Sequence, residues 1–114
     1  MKISEMQLYS AINEFISREI EPLGASMNYL QQMGFGLKIG MVKHSIQNLV
    51  KSNIGKNELK ILGIVDENGN IDIEPIYQSA MDMMKKMQKI EVAGITFREN
   101  DLQNLYGTMQ RYAV

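Results

Sequence analysis

Hydrophobic positions in the first half of the chain recur every three or four residues, which is the spacing of an amphipathic helix. A first helix is predicted to begin at Ser4, an N-cap residue followed directly by an acidic one. It should end near Glu21, because Pro22 within a helix would remove a backbone hydrogen bond. The apolar stripe of this helix comprises Leu8, Ile12, Phe15, Ile16 and Ile20.

A second and longer helix is predicted over residues 25–52, where apolar residues keep helical spacing with one shift. Its interior contains Gly34, Gly36 and Gly40, and each glycine in a helix costs about 1 kcal/mol relative to alanine. Residues 35–41 also alternate as a strand would, and a helix that kinks or breaks at the glycines is the alternative. The apolar positions of the long helix are Met27, Leu30, Met33, Leu37, Met41, Ile46 and Leu49.

The length of this helix predicts self-association. At 1.5 Å per residue it would extend over roughly 40 Å. A compact domain of this chain length has a radius of gyration of about 13 Å, and therefore a diameter of about 35 Å. The apolar positions thus need a second chain, or a second helix of equal length, to cover them. The predicted oligomer interface, most simply of a dimer, is Leu30, Met33, Gly36, Leu37, Gly40 and Met41, with the two glycines on one face for close approach.

Directly beyond residue 53 the spacing of the hydrophobic residues is no longer that of a helix. A loop is indicated by Asn53, Gly55 and Asn57. Residues 61–65 and 71–73 are then predicted to be strands of a hairpin, because Asn68-Gly69 between them is a strong hairpin signal.

Pro75 suits the first turn of a further helix. The predicted buried stripe of that helix is Ile76, Ala80, Met83, Met84 and Met87. Short strands are expected around residues 90–92 and 95–97, with a bend at 93–94, before a terminal helix from Glu99. The inward residues of the terminal helix are Leu102, Leu105, Tyr106 and Met109.

These elements predict a mainly helical α+β fold, in which long N-terminal helices precede a β-hairpin, a helix, short strands and a C-terminal helix. A chain of 114 residues is expected to form a single domain, residues 1–114. Residues 1–53 would be a helical oligomerisation half and residues 54–114 a compact α+β half.

The composition limits the classes of ligand and site that this chain can have. Twelve basic and thirteen acidic residues give a net charge of −1, which argues against a nucleic-acid ligand held by a general basic surface. Cysteine is absent, which excludes disulfides and thiolate metal sites. With no signal peptide and no apolar run long enough for a bilayer, we expect a cytoplasmic protein without a membrane partner. Ten methionines and no tryptophan suit core filling or, alternatively, a deformable contact surface.

The acidic loop around Gly69 is the nearest approach to a metal motif. When Gly69 is placed at the glycine of a calcium-binding EF-hand loop, Asp66, Asn68 and Asp72 fall on ligand positions. The first ligand position is then Ile64 and the bidentate glutamate position is Pro75. We therefore interpret the loop as a hairpin turn and expect no metal.

The sequence contains no recognisable combination of residues for acid–base or nucleophilic catalysis. His44 is the single histidine, and no hydroxyl residue lies in a nucleophile motif. We therefore predict that the chain is not an enzyme and needs no cofactor. Lysines from Lys38 to Lys60 are interpreted as a solvated face; the alternative is that Lys38, Lys43 and His44 contact an anion or nucleotide across an oligomer.

Two stretches of the C-terminal half, residues 69–73 leading into a helix and residues 92–97 followed by 101–105, resemble small uncharacterised proteins encoded by phages and prophages of Gram-positive bacteria. The resemblance covers about the last fifty residues and rests on turn and cap residues. It implies an accessory phage protein that blocks a host defence system, with no catalytic residues.

The predicted function is therefore that of a non-enzymatic, self-associating phage-type protein that binds a host protein in the bacterial cytoplasm. A host defence nuclease is the candidate target, as for an anti-CRISPR protein. The alternatives are an oligomeric sponge that sequesters a signalling nucleotide and a component of virion assembly.

Overall fold

A computed structural model describes residues 1–54, 57–92 and 94–113 of the chain, without the side chains of residues 49–50, 53–54, 57–58 and 92. The predicted bend at 93–94, the loop glycine at 55 and the side chain of residue 49 thus lie partly or wholly outside the described residues. The fold is mainly helical with two small antiparallel sheets, which confirms the predicted α+β class. In chain order its elements are β1 (Lys2–Ile3), α1 (Glu5–Phe15), α2 (Tyr29–Ile54), α3 (Asn57–Ile61), β2 (Ile71–Asp72), α4 (Ile73–Met87), β3 (Ile90–Val92), β4 (Ile95–Phe97) and α5 (Glu99–Tyr112).

Helix α1 begins as its sequence predicts. The Gln7 backbone N–H donates to the Ser4 hydroxyl at 3.1 Å, and the Ser4 N–H donates to the Gln7 side chain at 3.0 Å. This capping box satisfies two donors that a helix start leaves free. The chain then continues through a wider π turn (Ile16–Ile20) and a tighter 3-10 turn (Glu21–Gly24), so that regular helix is lost before Pro22, near the predicted end.

Helix α2 is continuous across all three of its glycines. Its 26 residues correspond to about 39 Å at 1.5 Å per residue. The molecule measures 48 × 29 × 24 Å, so α2 is longer than the two shorter dimensions of the molecule. The main contacts of α2 are with the 3-10 turn and with α1.

The start of α2 is positioned by the packing of Phe35 on Gly24. Gly24 is buried, and a Cβ atom built on it would lie 2.8 Å from Cδ1 of the Phe35 ring. A larger residue at this position would therefore require the Phe35 ring to shift. Further along the same face of α2, Ile39 and Val42 are buried in the core.

The predicted strand at residues 61–65 is wrong. Residues 57–61 form α3 instead, and Ile61 and Leu62 are exposed. What remains of the predicted hairpin is the bridge of Val65 with Ile71 and two backbone hydrogen bonds beside it, from the Asp66 N–H to the Asn70 carbonyl at 2.9 Å and from the Asp72 N–H to the Ile64 carbonyl at 2.7 Å. Strand β2 pairs antiparallel with β1 at the other end of the chain, because Ile3 and Ile71 are both nearly fully buried there and cover one another.

Helix α4 is capped by Asp72, whose carboxylate accepts a hydrogen bond from the Glu74 N–H at 3.2 Å. Its predicted buried stripe is partly wrong, because the helix is rotated relative to that stripe. Met84 is buried as predicted and Ala80 is half-buried, whereas the remaining predicted members are exposed: Ile76, Met83 and Met87. Ile73 and Met81 are buried in their place.

Helix α5 packs between α1 and α4. Arg18, in the π turn, donates to the buried hydroxyl of Thr108 at 2.6 Å, and Arg111 pairs with Glu14 at 2.9 Å. The predicted strands at 90–92 and 95–97 form an antiparallel pair, which confirms that part of the pattern.

The glycines of α2 are predicted to lower stability by propensity alone. A Cβ atom built on Gly36 meets nothing within 4 Å among the described residues, so Gly36→Ala should raise the free energy of unfolding by about 0.5–1 kcal/mol. A Cβ atom built on Gly63 also meets nothing within 4 Å in the described part of the chain, but Gly63 has a φ of +76°. Gly63→Ala should therefore lower the free energy of unfolding by about 1–2 kcal/mol. Urea denaturation of both variants measures this difference, and two shifts of the same sign would contradict it.

Candidate binding surfaces

An exposed apolar stripe runs along the side of α2 opposite the core. Successive residues of a helix are rotated by roughly 100°, so positions three and four apart share a side. The side chains of Leu30, Met33, Leu37 and Met41 are exposed by 77, 54, 73 and 59%. Gly34 lies among them and contributes bare backbone, with no atom within 4 Å of its built Cβ. These five residues are called the outer stripe.

Two of the six residues predicted for the interface lie elsewhere on the helix. Gly36 and Gly40 are exposed, but they line an open groove of about 530 Å³ between α2 and the 3-10 turn. Phe35 and Ile39 form the floor of this groove, and Lys43 lies at its edge. The glycine that lies within the outer stripe is therefore Gly34, and not Gly36 or Gly40.

The three candidate anion ligands are not brought together within one chain. Lys43 pairs with Glu21 at 3.5 Å, and His44 shares a hydrogen bond of 3.0 Å with Asn48. The amine of Lys38 lies 3.6 Å from a Cβ built on Gly94, on another side of the helix. Each side chain is thus occupied locally or directed away from the others.

The acidic loop is a turn held by Asp66. The Asp66 carboxylate accepts backbone N–H bonds from Asn68 and Asn70, both at 2.9 Å, and pairs with Lys2 at 3.2 Å. The hydrogen bond from Asn70 is the main reason that the pKa of Asp66 lies below its usual value. Asp72 caps α4 instead of facing the loop, so these oxygens serve the turn and the helix start.

An apolar cavity of about 430 Å³ lies beside the core, between α1, α4 and α5. Its deep wall is built from buried core side chains, among them Ile12, Val65 and Ile71. Ile76 and Tyr77 on α4 form part of its rim. Protein interiors normally contain few voids larger than a water molecule, so a space of this size is a distinct feature of the fold.

Tyr77 and Tyr106 stack at the wall of this cavity, with ring centroids 4.1 Å apart and planes inclined by 19°. The Tyr106 hydroxyl donates a hydrogen bond to the Glu74 carboxylate, which connects α5 to the first turn of α4. This hydrogen bond to Glu74 and partial burial raise the pKa of Tyr106. Sequence reasoning missed the cavity, because its lining comes from all five helices and from segments far apart in the chain.

Tyr9 is held in a similar way. Burial and a hydrogen bond of 2.6 Å to Glu5 raise the pKa of Tyr9 to about 12.

In the part of the chain that the structure describes, no group of three or more His, Asp and Glu residues is arranged to hold a metal ion. No helix among the described residues combines the length and apolarity of a membrane span. Comparison with protein-family models, with curated proteins and with solved structures finds no match to this chain. The interpretation of the site therefore depends on its geometry alone.

The two raised tyrosine pKa values predict an alkaline loss of stability. A raised pKa means that the folded state favours the neutral phenol, so the stabilisation is present below the ordinary value of about 10. It is lost as the pH rises through the folded value, which is about 12 for Tyr9. Glu5→Gln and Glu74→Gln should each move one tyrosine to a lower pKa in an ultraviolet titration.

Glu67→Gln is the control for this titration, since Glu67 is exposed and bonds no tyrosine among the described residues. An unchanged titration in both test variants would contradict the assignment of the two carboxylates.

Proposed function

We propose that this chain is a non-enzymatic binding protein that forms a dimer through the outer stripe of α2. The observation that carries the proposal is that α2 is apolar on two opposite sides, and that one chain covers only the side bearing Ile39 and Val42. A contiguous apolar patch on a monomer marks an interaction surface.

The outer stripe offers enough area for association. Complete burial of a Leu or Met side chain contributes about 1.5–3 kcal/mol, and four large side chains from each copy remain more than half exposed. Covering them would contribute on the order of 10 kcal/mol, against an association cost of about 4–15 kcal/mol. This balance favours a dimer that dissociates on dilution over an obligate one.

The spacing of the stripe suits an antiparallel, two-fold symmetric pair. Leu30, Gly34, Leu37 and Met41 are separated by four, three and four residues, a pattern that reads the same in both directions. In an antiparallel pair each Leu30 would lie opposite the Met41 of the second copy, and each Leu37 opposite a Gly34. A leucine directed at bare backbone is the arrangement that allows two helices to approach closely, and the same patch then serves both copies.

Charge supports the same orientation. Helix α2 contains no acidic residue, whereas Lys38, Lys43 and Lys51 are distributed along it. A parallel pair would place each Lys38, which flanks the outer stripe, beside the Lys38 of the second copy, and like charges at such positions destabilise a helix pair. In the antiparallel register Lys38 would lie opposite Met33 instead.

A charge at the centre of the stripe should dissociate the dimer. Leu37→Glu would bury an unpaired carboxylate, so the dissociation constant should rise by about tenfold or more. Leu62→Glu is the matched control, because Leu62 is 71% exposed and lies outside the stripe. Analytical ultracentrifugation over a concentration series measures both. A wild-type protein that stays monomeric at every concentration, or equal effects of the two variants, would contradict the proposal.

A pair of glycine variants tests where the two helices approach. Gly34→Leu would fill the space opposite the Leu37 of the second copy and should weaken the dimer by about tenfold. Gly36→Leu adds the same side chain at the groove and should leave the dissociation constant within about twofold. Neither built Cβ meets an atom within 4 Å among the described residues, so both chains should fold. The reverse order of effects would contradict the outer stripe and favour the interface predicted from the sequence, in which Gly36 and Gly40 allow close approach.

The resemblance to phage-encoded proteins adds a host protein to this proposal as the second partner, and the bacterial cytoplasm as the place of action. The exposed methionines of α4, Met83 and Met87, provide adaptable apolar surface for such a partner outside the stripe. Affinity purification from a host lysate tests this partner when wild type is compared with Met83→Glu. Nucleotide sequestration has less support, since Lys43 is paired with Glu21 and is not grouped with Lys38 and His44.

A further inference from the structure

We propose that the cavity between α1, α4 and α5 is a binding site for an uncharged, largely hydrocarbon small molecule. The inference is independent of dimer formation, since none of the outer-stripe residues lines this cavity. It rests on three properties of the cavity: its volume, the absence of charge in its lining, and an entrance at the rim of α4.

The volume suits a small molecule. An apolar cavity of roughly 150 Å³ lined by Leu, Ile and Phe stays dry and holds one benzene. A cavity of about 430 Å³ therefore has space for roughly three such rings, or for an alkyl chain of similar volume. It also lies within the usual range of ligand pockets, about 300–1,000 Å³.

The lining specifies the chemistry of the ligand. Every residue that the structure places around the cavity is aliphatic, methionine or tyrosine, and none carries a charge at neutral pH. A charged headgroup would lose its hydration there without gaining a partner. The carboxylate of Glu74, which accepts a hydrogen bond from Tyr106 at the wall, would repel an anion.

The rim provides an entrance and an aromatic wall. Ile76 is 44% exposed, so the cavity opens to solvent on the α4 side. The stacked rings of Tyr77 and Tyr106 present one flat wall against which a ring or a chain can pack. The Tyr106 hydroxyl donates to Glu74, which holds the stacked pair in place beside the cavity.

Binding is tested with the full chain and the uncharged fluorophore N-phenyl-1-naphthylamine. We expect a saturable rise in fluorescence with one site per chain. Ala80 lines the cavity on α4, and Ala80→Phe places a ring within it, so that the dissociation constant of the fluorophore should rise about tenfold. Ser79→Phe adds the same ring at an exposed neighbouring position outside the lining and should change the affinity less than about twofold. Absence of saturable binding, or equal affinities of the two variants, would overturn the proposal.

The location of the probe is tested on the wild-type protein, which does not depend on any variant folding. In a methyl-labelled sample, the probe should shift the resonances of Leu8, Ile12 and Ile71 in the cavity wall. Shifts confined to Leu30 and Leu37 would place the probe on the outer stripe instead and would overturn the assignment. The dimerisation of wild type and Leu37→Glu is measured separately, so either proposal can fail alone.

The charge of the ligand is tested by competition. Decanol and decanoate have the same chain length, and at neutral pH only decanoate is charged. Decanol should displace the fluorophore at a concentration about tenfold lower than decanoate, because the cavity provides no cation for the carboxylate. Equal or better displacement by decanoate would contradict the uncharged ligand class.

Discussion

The structure depends on one constraint: α2 carries apolar side chains on two opposite sides, and a chain of this size can cover only one of them. The inner side is held where the Phe35 ring packs on Gly24, a contact that a Cβ atom on residue 24 would disturb. Once Ile39 and Val42 are buried, the rotation of the helix is set, and Leu30, Leu37 and Met41 must face outward. The exposed stripe is therefore a direct consequence of how the core is packed.

The molecule therefore has two kinds of apolar surface, the outer stripe and the cavity. The outer stripe lies along the surface of one continuous helix, is convex and suits another helix. The cavity is concave and is enclosed by elements that meet only in the folded chain. Tyr106 and Glu74 connect α5 to α4 beside it, and Arg18 with Thr108 connects α5 to the end of α1. These polar contacts fix the helices around a space that their side chains do not fill.

Local signals in the sequence were reliable where one residue decides a local structure. Ser4 began α1, Pro75 lies in the first turn of α4, and the two short strands near Gly94 formed as their alternation predicts. The prediction failed at residues 61–65, because an apolar run can serve as helix or strand and β2 found its partner in β1, far away in the chain. The prediction also failed for Met83 and Met87, which are exposed. Apolar residues lie on several neighbouring sides of α4, so periodicity alone does not show which of these sides faces the core.

The sequence by itself determined the fold class, the approximate starts of α1 and α4, and the presence of a long glycine-containing helix with too much apolar surface for one chain, because caps, proline and periodicity act within a few residues. Only the tertiary structure decided that Gly34 rather than Gly36 lies in the outer stripe, that Lys38, Lys43 and His44 diverge, and that a cavity exists at all. Those features depend on the rotation of each helix about its axis and on contacts between distant segments. Both are set by the packing of the whole core, which no local pattern encodes.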